Sequence, residues 1–387
     1  MSSPDRPHEQ HDEEPHRAPQ RGAHGAAAVG VVMPILNEER HLEEAVAAVL
    51  GQRYAGSVTV VLALGPSTDR TDEIAADLVR REPRVRTVRN PSGRTPEALN
   101  AALAALPDEV EVVVRVDGHG ILEPDYVRTA CELLEQTGAA NVGGVMHAEG
   151  VTTFERAVAA AMTSRLGVGN AAFHTGGASG PADTVYLGVF RREWLRRMGG
   201  YDERFTRAQD WELNHRIREA GGLVWFSPEL RVTYRPRPTL ATLARQYRDY
   251  GRWRRVVARE HRGTINLRYL APPTALVLVA GGAVAGFLWA PAWVLPAGYL
   301  SVTTLGGLTM KGRLDWRERL LETVVLPTMH LSWGWGFLSS PRDLMPELDR
   351  EHGVPHDSAE SPATPGSLDS PATPGSVDSP ATPGSGA

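Results

Sequence analysis

The sequence predicts an α/β fold, a sheet covered by helices and followed by membrane-spanning helices, and three observations predict it. Short valine-rich runs alternate with helix-length segments between residues 29 and 116. An apolar share of 42% beside 22% charged residues can build a sizeable core, which excludes wholesale disorder. The stretch 270–310 contains no charged side chain. At 387 residues, one large catalytic unit with appendages is expected.

The elements follow in order. Residues 1–28 are polar, with His8, His11, His16 and His24 among prolines and acids, and read as a solvated tail rather than a metal site. No apolar stretch stands near the N-terminus, so no signal peptide is expected. Residues 29–35 are a continuous apolar run, followed by a helix over 38–50 with Leu42, Ala45, Val46 and Val49 in register. A second strand is predicted over 58–64 and a second helix over 69–80, with Ile74 and Leu78 on its apolar face. A short strand at 85–88, a helix at 96–106 and a strand at 110–116 that stops at Asp117 complete the series. Repeated units of this kind argue for a parallel sheet with helices on both faces, which binds ligands outside the carboxyl ends of its strands.

Composition narrows the partners. The lone Cys131 excludes an intramolecular disulfide framework and a multi-thiolate zinc site. The net charge of −5 is carried by acidic ends, and the middle of the chain is basic. Arginines crowd 231–268, a pattern that suits nucleic acid or an anionic membrane surface, and the apolar run that follows selects the membrane. No nucleic-acid partner is expected.

That run is long enough for two crossings, with Pro291 near its midpoint where a hairpin would turn. Arginines before it and Lys311, Arg313, Arg317 and Arg319 after it place both ends, and the catalytic domain, on the cytoplasmic side of a multi-pass membrane protein. A third segment, 323–338, contains His330, Trp333 and Trp335 and either spans or lies in the interface. Residues 361–387 repeat SPATPGS three times, a tract too polar to build a core. The expected domains are therefore a tail over 1–28, a catalytic domain over 29–262, a membrane region over 263–340 and a second tail over 341–387.

The strand ends carry the polar residues that matter. Strand one ends in Pro34-Ile35-Leu36-Asn37-Glu38-Glu39, where Asn37 or Glu38 can cap the next helix. Strand two ends in a turn, Gly65 to Thr71, whose Ser67 and Asp69 can do the same. Strand four runs into Asp117-Gly118-His119-Gly120, a carboxylate and an imidazole two residues apart that can face one ligand or form a polar turn. Mg²⁺ or Mn²⁺ bridging a diphosphate needs few protein ligands, and oxygen donors suit it. Asp210 opens a helix in Gln209-Asp210-Trp211-Glu212-Leu213-Asn214-His215, where it can cap or serve as a general base.

Taken in order, PxxNEE, GxSTDxT, RVDGH, GxxDERF, QDWELNHR and QYxxYGRW resemble a family-2 glycosyltransferase of GT-A fold, a Rossmann-like mixed sheet flanked by helices. The resemblance covers about 29–255 and is similar to the subgroup that includes the succinoglycan-biosynthesis glucosyltransferases. It implies that Pro34, Asn37, Glu38, Asp69 and Arg94 bind the donor nucleotide. Asp117 matches the first acid of the DxD motif and His119 stands at the second, giving a divalent-metal site. Asp210 matches the catalytic base, with Glu212 in the same motif. Gln246, Arg248 and Trp253 resemble the QxxRW-type element at the acceptor and diphosphate. Two departures stand out: Leu64-Gly65 replaces the acid that usually contacts the base, and His119 replaces an acid.

The implied reaction moves a hexosyl group from a nucleotide sugar to a hydroxyl of a lipid-linked or polysaccharide acceptor of the cell envelope. A departing nucleoside diphosphate needs a cation, and the acceptor hydroxyl needs a carboxylate at about 3 Å. One base without a facing nucleophilic carboxylate describes a single inverting displacement, unlike glycoside hydrolysis. A sugar nucleotidyltransferase expects a Gly-rich basic loop where PILNEE stands. A silent membrane scaffold that binds nucleotide sugar or a glycan-assembly partner is the alternative from another class.

Overall fold

A computed structural model of the chain describes residues 26–310, 312 and 314–345. The terminal tails expected from composition lie almost entirely outside the described residues, as do Lys311 and Arg313.

Four strands, β1 (Val29–Ile35), β2 (Val58–Leu64), β3 (Val85–Arg89) and β4 (Val112–Arg115), pair in parallel in the order 3-2-1-4. They are joined by α1 (Leu42–Leu50), α2 (Thr71–Arg81) and α3 (Thr95–Ala104). The reason is visible in the side chains. Because successive residues of a strand face opposite ways, Val31, Met33, Leu62 and Val114 join one core with α1 and α2. Val32, Val61, Ala63 and Val113 join a second core with Leu99 and Ala102 of α3. β1 and β2 are buried on both faces, so their runs are apolar almost throughout and show no alternation.

The chain then departs from an all-parallel plan. It continues through β5 (Ile121–Leu122), α4 (Tyr126–Thr137), β6 (Asn141–Ala148), α5 (Thr153–Met162), α6 (Arg165–Val168), α7 (Ala172–Thr175), β7 (Gly180–Pro181), β8 (Tyr186–Arg191), α8 (Arg192–Arg197), α9 (Gln209–Glu219) and β9 (Val224–Tyr234). β8 runs antiparallel to both β4 and β6, while β6 and β9 are parallel. The sheet order is β3-β2-β1-β4-β8-β6-β9-β5, with β7 on β9. The first half is parallel, as its strand–helix series predicts, and the whole sheet is mixed, as the family resemblance implies. Antiparallel partners need no particular crossover, so the pairing of β8 between β4 and β6 leaves no mark in the strand–helix order.

Beyond β9 lie α10 (Leu240–Glu260), α11 (Leu267–Gly286), a 3₁₀ turn (Ala290–Trp293), α12 (Val294–Leu308) and α13 (Trp316–Leu338). Gly251 of α10 faces the Trp333 carbonyl and Gly336 of α13 faces the Arg248 carbonyl, with no room at either for a Cβ. These glycines let α10 and α13 cross backbone to backbone. Val325, Leu326 and Met329 of α13 share a core with Val158 of α5 and Tyr247 of α10. Glu318, at the start of α13, accepts a 2.5 Å hydrogen bond from Arg156 Nε of α5. One face of the third apolar segment is therefore packed against protein.

α11 and α12 form a hairpin, and Pro291 sits in the 3₁₀ turn between them. Among the described residues α11 is the one helix long and apolar enough to cross a membrane, with a mean hydropathy of 1.5 and only 17% of that window buried. α12 has 15 residues. At about 1.5 Å per residue it falls short of a hydrocarbon core of about 30 Å. The residues leading into the turn are apolar and open, with Phe287 82%, Leu288 92% and Trp289 67% exposed.

Candidate active site

The first two motif loops are stitched to each other. Asn37, held at φ 56°, donates its N–H to Ser67 Oγ at 3.1 Å and accepts at Oδ1 from Thr68 N at 2.8 Å. Asparagine tolerates this left-handed conformation better than most residues. Glu38 N donates to Thr71 Oγ1 at 2.8 Å, and Glu39 N to Asp69 Oδ2 at 3.2 Å. Asp69 Oδ1 also accepts from Thr71 N at 3.0 Å and Thr71 Oγ1 at 2.5 Å. These bonds, that from the Thr71 hydroxyl above all, lower the Asp69 pKa. Both Asn37 and Asp69 line the cavity described below, but their side chains spend most of their hydrogen bonds on the clasp. Arg94 precedes α3 on the same wall and pairs with Glu97.

Strand β4 delivers the charged centre. Arg115, only 5% exposed, donates from Nη2 to Asp117 Oδ1 at 2.9 Å and forms an ion pair through Nη1 with Asp210. Burial works against its charge, but Asp210 and Asp117 outweigh that and raise its pKa well above the ordinary value. Burial likewise raises the Asp117 pKa, yet Arg115 overrides it and the net shift is downward, so Asp117 is ionised. Asp210 goes the other way. Its burial outweighs Arg115 and lifts its pKa, with the charge of Asp117 adding to the rise.

Gly118 explains its own place in the motif. A Cβ there would lie 2.8 Å from Glu38 Cγ and 3.0 Å from Ile35 Cδ1. The glycine admits Glu38, whose Oε1 meets His119 Nδ1 at 2.7 Å. Burial disfavours the imidazolium, but the bond to Glu38 and the charge of Asp117 win, and the His119 pKa is raised.

Asp210 arrives on α9, and its neighbours in the motif hold that helix. Glu212, 1% exposed, accepts from Arg216 Nε at 2.6 Å and Nη2 at 2.8 Å. Arg216 in turn donates to the carbonyls of Met198 and Gly200. Asn214 accepts from Asn141 Nδ2 of β6 at 2.6 Å and donates to Thr184 Oγ1 at 3.0 Å. Glu212 and Asn214 pin the helix inward while Asp210 and Trp211 face the cavity. The expectation that Glu212 belongs to the acceptor region is therefore corrected: it is a buried strut, oriented away by the 3.6-residue period that turns its neighbour Asp210 outward.

The last motif divides in the same way. Gln246 donates from Nε2 to Tyr234 Oη at 2.9 Å and Tyr250 Oη at 2.8 Å and lines the cavity, as does Trp253. Arg248 does not. It lies on the opposite face of α10, beside Leu331 and Trp335 of α13, with Asp249 at 3.7 Å. Its assignment to the acceptor and diphosphate region is corrected, and the reason is helical phase. Arg254, which that reading passed over, is the arginine of α10 that reaches the cavity.

All of these cavity residues border one space of about 1600 Å³. Its lining takes in Pro34, Asn37, Asp117 and Asp210, Arg268 and Pro272 of α11 and His330 of α13. The second residue missed from sequence is Arg115, which reads as one more charged position inside RVDGH. Its signal was a charged residue at the end of a strand otherwise buried at every position, a place that demands partners.

A divalent cation fits this donor set. Among the described residues no cluster of three or more His, Cys, Asp and Glu side chains forms a protein cage. Asp117 keeps one oxygen off Arg115, and the Glu38 bond at Nδ1 leaves His119 Nε2 as its other nitrogen. A carboxylate orienting a histidine is a usual device around metals. Diphosphate oxygens and water would complete the shell, as Mg²⁺ and Mn²⁺ commonly allow.

Comparison with known proteins places these features in a group. The model of the family described as glycosyl transferase family 2 matches residues 30–199. The succinoglycan biosynthesis protein ExoA of Rhizobium meliloti (strain 1021) is 34% identical over 310 residues, which is 79% of this chain and 93% of that protein. Among solved structures, the mannosyltransferase PcManGT from Pyrobaculum calidifontis, in complex with GDP-Man and Mn²⁺, aligns with a TM-score of 0.54. The two are 22% identical, over 82% of this chain and 89% of that one.

Proposed function

Because this chain belongs to glycosyltransferase family 2, with its GT-A mixed sheet flanked by helices, we propose that it is a membrane-anchored inverting enzyme. It moves a hexosyl group from a nucleoside-diphosphate sugar to a hydroxyl of a lipid-linked or cell-envelope polysaccharide acceptor. The observation that carries this reading is the meeting of Asp117 and Asp210 on Arg115 in a single cavity. The mannosyltransferase of similar fold was determined with a nucleotide sugar and Mn²⁺, and the relative from Rhizobium meliloti is named for polysaccharide biosynthesis, which supports the donor and acceptor classes.

The residues divide the work. The clasped loops bearing Pro34, Asn37, Glu38 and Asp69, together with Arg94, form the donor wall. Asp117, with His119 beside it, holds the diphosphate end, where a bound divalent cation would neutralise charge on the leaving oxygens. Arg115 keeps Asp117 ionised and adds fixed positive charge close to the leaving group. Asp210 accepts the acceptor's hydroxyl proton as that oxygen bonds to the anomeric carbon from the face opposite the leaving group. The bond to the diphosphate oxygen breaks, its electron pair leaves with the nucleoside diphosphate, and the anomeric configuration inverts.

The direct test is purified, detergent-solubilised chain against a panel of nucleotide sugars, scored by nucleoside-diphosphate release with an acceptor extract. No turnover with any donor would sink the proposal. Asp117→Ala is expected to weaken donor binding in Mn²⁺ by about tenfold or more, the cost of one charge-assisted ligand. Calorimetry showing unchanged affinity would remove Asp117 from the donor site.

Membrane anchoring rests on the exposed apolar α11 and its turn. Membranes washed with alkaline carbonate should retain the full chain in the pellet. Complete release would show that it is held only peripherally.

A further inference from the structure

Two arginines of the same cavity, Arg254 and Arg268, lie near each other. Arg254 of α10 is 6% exposed and sandwiched, its guanidinium carbon 4.2 Å from the Trp211 ring centre and 3.9 Å from that of Tyr269. One nitrogen donates to the Thr264 carbonyl, while Nε and Nη1 are buried with no hydrogen-bond partner. Arg268, in the first turn of α11, lies 4.7 Å from the same Tyr269 ring and donates to the Tyr269 hydroxyl at 2.6 Å. Its stem rests on Gly169, whose added Cβ would sit 3.1 Å from Arg268 Cγ.

Among the described residues neither guanidinium forms an ion pair. The carboxylate of Asp183, on the same side, is turned to Arg218 at 3.7 Å and is largely exposed. Burial lowers the Arg254 pKa, with the like charge of Arg268 acting in the same direction. Stacked rings hold a guanidinium in place and leave its N–H edge free, but they do not replace a hydrogen-bonded anion. Two neighbouring cations, one almost wholly out of water and short of acceptors, leave the site electrostatically incomplete.

The walls beside them are apolar. Pro272 and Ala275 of α11, Met329 and Trp333 of α13, and Leu166 and Phe173 of the α6–α7 segment line the same cavity. A ligand that completes this site has an anionic head with paired oxygens and an apolar chain. We propose that Arg254 and Arg268 form a second anion site, separate from the donor site at Asp117, that grips the phosphoryl group of an acceptor carried on an apolar chain lying along α11 and α13. Only the word acceptor rests on the glycosyltransfer reading, since the anion site and its apolar wall stand on geometry alone. The lipid diphosphate would enter from the side where α11 exposes its apolar surface, and its sugar would extend toward Asp210.

The test uses the full chain in nanodiscs, titrated calorimetrically with farnesyl diphosphate, farnesol and inorganic pyrophosphate. Farnesyl diphosphate is expected to bind the wild type more tightly than either of the others. Arg254→Gln and Arg268→Gln should each weaken it by about tenfold or more, as loss of a charge-assisted bidentate contact does. Asp117→Ala should leave it unchanged. Loss of binding in Asp117→Ala but not in the arginine variants would put the anion in the donor site and overturn the proposal. Equal affinity for farnesol would overturn the anion site, and equal affinity for pyrophosphate would overturn the lipid-borne source. Arg268 lies nearer the surface, so its variant decides the matter should Arg254→Gln fail to fold. None of these titrations needs turnover, so an absence of sugar transfer leaves their outcome readable.

Discussion

Asp210→Asn is expected to abolish sugar transfer, by a factor of about 10² to 10⁴ in kcat, while nucleotide-sugar binding stays near that of the wild type. The amide keeps the size of the side chain and can still meet Arg115, but it cannot take a proton. A second consequence is pH-dependent. Burial lifts the Asp210 pKa, so the acid limb of the kcat profile should lie above the ordinary aspartate value of about 3.9. A basic carboxylate serves below its pKa as nothing but an acid, so activity falls as pH drops through that value. Wild-type turnover in Asp210→Asn, with donor affinity intact, would remove Asp210 from the reaction and leave the cavity without a base.

Arg115→Met is expected to have the larger effect on the folded state. Its guanidinium is the common partner of Asp117 and Asp210. Methionine fills most of the volume but leaves two carboxylates facing each other. Breaking a buried pair by deleting one partner costs about 3–5 kcal/mol, and the lower end applies because both carboxylates still reach the cavity. The loss should appear in thermal or denaturant unfolding at neutral pH. It should shrink as pH falls and one of the two carboxylates takes up a proton, since the repulsion then disappears. Transfer should fall with it, because without Arg115 the Asp117 pKa is no longer held down. A variant as stable and active as the wild type would show that Arg115 only fills space.

The contrast between these two residues shows how the sequence can be read. The place of Asp210 at the cavity was legible because the ordered motifs single out this carboxylate at the start of its helix. Arg115 was not, although it touches both acids, because one arginine at a strand end looks like any other until its partners are known. The same limit explains Glu212 and Arg248. Both belong to motifs whose neighbours line the cavity, and the family resemblance of those motifs points to both. On a helix, adjacent residues are about 100° apart. Proximity in sequence therefore sends Glu212 into a strut with Arg216 and Arg248 to the far side of α10.

Chain order and side-chain chemistry by themselves determined the strand–helix series from Val29 to Arg115, the place of the cavity at the strand ends, and the position of the turn at Pro291. Each of these depends on local periodicity or on a single residue type, which one dimension preserves. Tertiary structure alone decided that β8 runs antiparallel, that α13 is clamped to α10 through Gly251 and Gly336, and that the loops at Asn37 and Asp69 hold each other. It also decided which arginines meet acids and which, like Arg254, meet none. Those outcomes turn on distances between groups remote in the chain, where the falloff of charge interactions and the directionality of hydrogen bonds select partners that no local pattern encodes.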